Sequence, residues 1–130
     1  MKVMRVNKKL SNKEWKKQLL KRLLEFSVRI IKLAEKLPKT PAGFAVASQL
    51  IKAGTSIGAN AEEAQDANSL KDFVHKMGIS LRESKETRYW LKVIKLANLI
   101  EPNYVSLELA ECEEIVAILT SSVKSSREKL

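Results

Sequence analysis

Apolar residues recur every three or four positions along four successive stretches of this 130-residue chain. The first stretch has Leu19, Leu23, Phe26, Ile30, Leu33 and Leu37. The last stretch has Val105, Leu109, Cys112, Val116, Leu119 and Val123. This spacing places apolar side chains on one face of an α-helix, whereas a strand would need alternation. The chain is therefore expected to fold into amphipathic helices.

Short polar segments between these stretches indicate where the helices begin. Ser11 with Glu14 forms a capping-box pattern, Thr40 before Pro41 is a typical N-cap, and Ser69 precedes the third stretch. The predicted helices span about 12–37, 41–65, 69–98 and 103–127. Because short loops force neighbouring helices to run antiparallel, we predict an all-α, up-down-up-down four-helix bundle over 11–130. Residues 1–10 are predicted to be a flexible basic tail.

Two glycines lie within the predicted second helix, at Gly54 and Gly58. Each costs about 1 kcal/mol relative to alanine in a helix interior. Close packing against a neighbouring helix is the simplest compensation, so this helix is expected to be central.

The positive charge of the chain is concentrated near its start. The net charge is +9, and residues 1–39 hold 13 Lys/Arg against 3 Asp/Glu. One interpretation is a surface that binds a polyanion, and the other is a solvated helix face with a solubilising tail. The candidate nucleic-acid-binding residues are Lys13, Trp15, Lys16, Lys17, Lys21 and Arg22. Trp15 has two interpretations: its ring stacks on a base, or it packs against a neighbouring helix.

The residues show no pattern typical of an enzyme or a metal site. A di-iron bundle requires two Glu-x-x-His motifs, and the chain has a single histidine, His75. Neither a phosphate-binding glycine loop nor a nucleophile with a histidine partner is evident, so we predict no catalytic residue, metal or cofactor. The single Cys112 fits a reducing compartment, and no apolar run approaches the ~18 residues of a membrane span. A cytoplasmic protein is expected.

Polar residues next to the apolar stripes have a structural interpretation. Asn60, Glu63, Glu83 and Arg88 are predicted to form a hydrogen-bonded cluster that fixes the helix register. The glutamates of the last helix are expected mostly opposite its apolar face or in its first turns. These are Glu108, Glu111, Glu113 and Glu114.

Three segments carry a family resemblance: SIGANAEEA from Ser56, SLKDF from Ser69 and ISLRESKETRYWLKVIKLANLI from Ile79. They resemble the bacterial four helix bundle protein family, which includes proteins encoded in intervening sequences of 23S ribosomal RNA genes. The accessory variability determinant proteins of diversity-generating retroelements are related to that family. The resemblance covers roughly 15–125. It departs from the usual ANIAEG pattern, because Ala61 and Ala64 stand where the family has an apolar residue and a glycine.

The resemblance implies a bundle that assembles with itself as a ring-like homopentamer and has no enzymatic activity. It also implies RNA or DNA as a partner, bound through a basic surface. The alternative is a protein-interaction scaffold, or an accessory subunit of a protein partner, with no nucleic-acid role.

Overall fold

The computed structural model describes residues 11–130 as four helices. They are α1 (Asn12–Ala34), α2 (Pro41–Ala64), α3 (Leu70–Leu96) and α4 (Pro102–Arg127). Each packs against the next in the chain, and α1 and α4 close the bundle more loosely. The predicted all-α bundle is confirmed, and the predicted tail at 1–10 lies outside the described residues. None of the helices within 11–130 contains an apolar segment of the length that a membrane span requires.

The three predicted N-caps are formed. Each cap side chain accepts a hydrogen bond of 3.1 Å from the backbone N–H three residues ahead: Ser11 from Glu14, Thr40 from Gly43 and Ser69 from Asp72. These bonds satisfy amides that would otherwise lack a partner at the helix start. α1 ends at Ala34, before the predicted Leu37, and residues 35–37 form a tighter turn leading to Pro38. Leu37 is nevertheless buried against the core.

The glycines of α2 allow α1 to approach closely, as predicted. A Cβ added at Gly54 would lie 2.7 Å from Cγ2 of Ile30, and one at Gly58 would lie 3.4 Å from Cβ of Leu23. The Ser27 hydroxyl lies between the two helices, 3.0 Å from the Leu23 carbonyl and 3.3 Å from the Gly54 carbonyl. The side chain of Ile30 and the residue Leu23 of α1 therefore pack directly against the glycines of α2.

Small polar residues of α3 lie in the middle of the core. Ser80, Ser84 and Thr87 are fully buried. Ser80 donates a 2.7 Å hydrogen bond to the carbonyl of Ile57 and so links α3 to α2, while Ser84 and Thr87 donate to carbonyls of α3 itself. The Cys112 thiol of α4 lies 3.4 Å from the Ser84 carbonyl. Each of these buried hydroxyl groups therefore has a hydrogen-bond partner inside the core, and none is left unsatisfied.

Candidate nucleic-acid interface

The first half of α1 carries four exposed lysines, Lys13, Lys16, Lys17 and Lys21. Lys13, Lys17 and Lys21 follow one another at intervals of four residues, so they lie on one face of the helix. No ion pair joins any of the three to another residue within 11–130. The Lys16 ammonium lies 5.6 Å from the centre of the Phe73 ring on α3, within range of a cation–π interaction.

Trp15 lies among these lysines but belongs to the edge of the core. Its side chain is half-buried and packs against the buried apolar cluster. The packing interpretation therefore describes its position, and a ring held in this way has less surface for a base than an exposed one.

Arg22 has a different role from the one predicted. Its Nε and Nη2 each lie 2.7 Å from a carboxylate oxygen of Glu111, and Nη2 also lies 2.9 Å from Glu114. The bidentate arrangement matches the planar guanidinium to the carboxylate. The hydrogen bond to Glu111 raises the pKa of Arg22 above its usual value, so the side chain stays charged. Because two carboxylates already bind this group, we remove Arg22 from the nucleic-acid-binding set.

Arg22 is one part of an ion-pair seam between α1 and α4 that the sequence analysis missed. Arg29 places Nε 3.1 Å from both oxygens of Glu108 and Nη2 3.7 Å from Glu111. Glu108 is buried, whereas the glutamates of this helix were expected mostly opposite its apolar face or in its first turns. A signal was present: arginines seven residues apart on one helix, and glutamates three apart on the helix that must lie beside it. We call Arg22, Arg29, Glu108, Glu111 and Glu114 the α1–α4 seam.

The predicted polar cluster is not formed. No hydrogen bond or ion pair joins any two of its four members. Asn60 donates to the Ser56 carbonyl (2.8 Å), and Glu63 pairs with Lys76 (3.4 Å). Arg88 pairs with Glu113 (3.0 Å), and the half-buried Glu83 side chain has no hydrogen-bond or ion-pair partner within 11–130. The reason is helix geometry. Five residues turn an α-helix by about 500°, so Glu83 and Arg88 lie on different sides of α3.

Comparison with known proteins assigns the chain to a family. A family model described as 23S rRNA-intervening sequence protein matches residues 15–121. The chain belongs to this family. A crystal structure from Bacteroides thetaiotaomicron, described as a protein of unknown function from the S23 ribosomal protein family, is 36% identical with a TM-score of 0.76. The alignment covers 82% of this chain and 98% of that one. No curated protein matches the chain.

Membership of the 23S rRNA-intervening sequence protein family confirms the resemblance seen in the sequence. The matched span includes the lysines from Lys16 onward and the whole α1–α4 seam, but not Lys13. The solved relative is itself described as having unknown function. The pentameric ring, the relation to retroelement proteins and nucleic-acid binding therefore stay predictions. Among residues 11–130, no group of three or more His, Cys, Asp or Glu side chains is placed to hold a metal ion.

Proposed function

We propose that this chain is a non-catalytic, self-associating bundle that binds the phosphate backbone of RNA or DNA through the lysines of α1. The observation that supports the proposal is the face formed by Lys13, Lys17 and Lys21. These side chains are exposed, regularly spaced and without an ion-pair partner among residues 11–130. Their charge is therefore available to an external anion.

The chemistry of this face favours contact with phosphate over recognition of bases. An ammonium group acts as a point charge, and phosphate contacts position a nucleic acid without reading its sequence. With Arg22 bound to Glu111, the face has no guanidinium fork for the edge of a guanine. Binding is expected to show little sequence preference and to weaken steeply with salt, because neutralised phosphates release counterions.

Self-association would strengthen such weak contacts. Both α1 and α2 expose large apolar side chains: Leu24 (61% exposed), Val28 (46%) and Ile31 (39%) on α1, and Phe44 (59%) on α2. We call these four residues the α1–α2 outer face. Large exposed apolar patches mark interaction sites. Copies of the chain joined through this face would repeat the lysines around one assembly and raise avidity for a long polyanion.

The test replaces Lys13, Lys16, Lys17 and Lys21 together by glutamine. Binding to a labelled RNA and to a duplex DNA is measured at several salt concentrations from about 50 mM upward. The variant should bind more weakly and with a flatter salt dependence, because up to four phosphate contacts are lost. The matched control replaces four other exposed lysines and so changes the net charge equally: Lys39, Lys52, Lys92 and Lys95.

The outcome separates local charge from total charge. Equal weakening in both variants would mean that only net charge matters and would contradict the α1 face. No binding by the wild-type chain at about 50 mM salt would reject the nucleic-acid role. The protein-interaction scaffold would then be favoured, because the exposed apolar residues of the α1–α2 outer face can contact a protein whether or not the chain binds nucleic acid.

A further inference from the structure

A groove runs between α3 and α4 on the outside of the bundle. Gly78 and Leu81 line it from α3, and it encloses about 330 Å³. The α4 residues that line it are Thr120, Val123, Lys124, Arg127 and the neighbouring Glu128. Gly78 and Leu81 are three residues apart, and the lining residues of α4 follow the spacing i, i+3, i+4 and i+7, so each set lies on one face of its helix. We call this feature the Gly78 groove.

Gly78 is the unusual residue of this groove. A glycine inside a helix costs about 1 kcal/mol relative to alanine, and α2 recovers that cost at Gly54 because Ile30 of α1 packs against it. A Cβ added at Gly78 would meet no atom within 4 Å. Nothing within 11–130 therefore requires glycine at this position, although it lies inside α3. A bound partner whose backbone approaches α3 closely would require it.

The charges around the Gly78 groove are mostly positive. Lys124 and Arg127 lie along its α4 side, and Arg82 and Lys85 continue the same face of α3. All four side chains are exposed, and no ion pair joins any of them to another residue within 11–130. Glu128 is the one acidic residue in the lining. Leu81 and Val123 provide an apolar floor between the cations.

We propose that the Gly78 groove binds an acidic amphipathic helix of a protein partner. An apolar ridge with i, i+3, i+4 and i+7 spacing would lie on Leu81 and Val123, and small residues of the ridge would cross at Gly78. Carboxylates beside the ridge would pair with Lys124, Arg127 and the cations of α3. Electrostatic complementarity of this kind favours an acidic partner over a neutral or basic one.

The groove fits a peptide better than a single-stranded nucleic acid. No aromatic ring lines it, whereas non-specific single-strand sites stack bases on aromatic side chains. Its apolar floor also has no use in a site that contacts only phosphates. The Gly78 groove is on α3 and α4, so this proposal does not depend on the lysines of α1.

The test starts from a displayed library of helical peptides with a randomised ridge of Gly, Ala and Leu flanked by Glu. The library is selected against the full-length chain. Fluorescence anisotropy then measures the affinity of each selected peptide for two groove variants. The first is Gly78→Leu, whose side chain occupies part of the groove, and the second combines Lys124→Glu with Arg127→Glu. The control is Lys92→Glu combined with Lys95→Glu, which makes the same charge change at exposed positions near the end of α3.

The proposal predicts at least about a tenfold loss of affinity for both groove variants and little change for the control. Circular dichroism confirms that each variant is folded, and Gly78→Leu should fold because a Cβ at this position meets no atom within 4 Å. Failure to select any peptide, or equal losses in the groove and control variants, would overturn the proposal. Binding of a 20-nucleotide single strand is measured on the same variants. If the groove variants lose binding to the single strand but keep binding to the peptides, the proposal is also overturned.

Discussion

Gly54 and Gly78 are both inside helices, but their surroundings predict opposite effects of the same substitution. Gly54→Ala would place a methyl group 2.7 Å from Ile30, and overpacking of this kind typically costs about 1–3 kcal/mol. Gly78→Ala meets open space, so it should raise the free energy of unfolding by about 0.5–1 kcal/mol through helix propensity. Urea unfolding of both variants checks this. Equal effects would mean that the α1–α2 contact is looser than described.

The buried thiol of Cys112 should make the free energy of unfolding fall as the pH becomes alkaline. Burial raises the pKa of its thiol from 9.0 to about 12. A raised folded pKa means that the stabilisation is complete below pH 9 and is lost as the pH rises toward 12, because only the unfolded chain then ionises its thiol. Wild type should lose about 1 kcal/mol more than Cys112→Ala between pH 7 and pH 10, measured by urea unfolding. Parallel losses in the two proteins would place the thiol in contact with water.

Among the elements, the helices were predictable from sequence because their signals are local. Apolar spacing and the caps at Ser11, Thr40 and Ser69 depend on residues within a few positions of one another, and these caps are all present in the structure. The spacing of the arginines and glutamates was a signal for the α1–α4 seam, but it could not show which residues pair. Arg22 and Glu111 are 89 residues apart, and their pairing depends on how far each helix rotates about its own axis. That rotation is set by the packing of the whole core.

The predicted polar cluster is absent because its contacts, like those of the seam, depend on the packing of the helices and not on local sequence. Asn60 bonds to the Ser56 carbonyl within α2, and Glu63 pairs with Lys76 of α3. Arg88 lies on α3 and pairs with Glu113 of α4, so it does not reach the residues of α2. The family resemblance identified the residues as informative without identifying their contacts. The nucleic-acid set changed for the same reason, since only three-dimensional placement shows that Arg22 is already paired.

The two kinds of ion pair between helices should differ in strength. Arg22 and Glu111 are 20% and 22% exposed and bind through two hydrogen bonds, whereas Arg88 and Glu113 are 31% and 48% exposed and share one. Arg22→Gln leaves two carboxylates facing each other and should cost about 1–3 kcal/mol. Arg88→Gln should cost within about 0.5 kcal/mol and lose its effect in 1 M salt. A cost for Arg22→Gln no larger than that for Arg88→Gln would show that α1 and α4 do not depend on the seam.

At the scale of the whole molecule, charge and apolar surface are divided along α1. Four of its five lysines occupy the first half, and the exposed apolar residues Leu24, Val28 and Ile31 occupy the second half together with Lys32. An assembly that buries the second half would leave the first half exposed at its rim. Self-association and polyanion binding are therefore compatible on one helix, and substitutions in one half should leave the other function in place.

The α1–α2 outer face gives the prediction for assembly. Light scattering of the wild-type chain at micromolar concentration should give a mass several times 14.7 kDa. Leu24→Glu combined with Val28→Glu places two charges in the apolar contact, where their desolvation is costly, and should give a monomer with unchanged helix content. The control is Leu96→Glu, since Leu96 is 85% exposed near the end of α3 and is not one of the four residues of this face. A wild-type monomer would contradict the assembly, and an oligomer that survives the double substitution would place the contact on another surface.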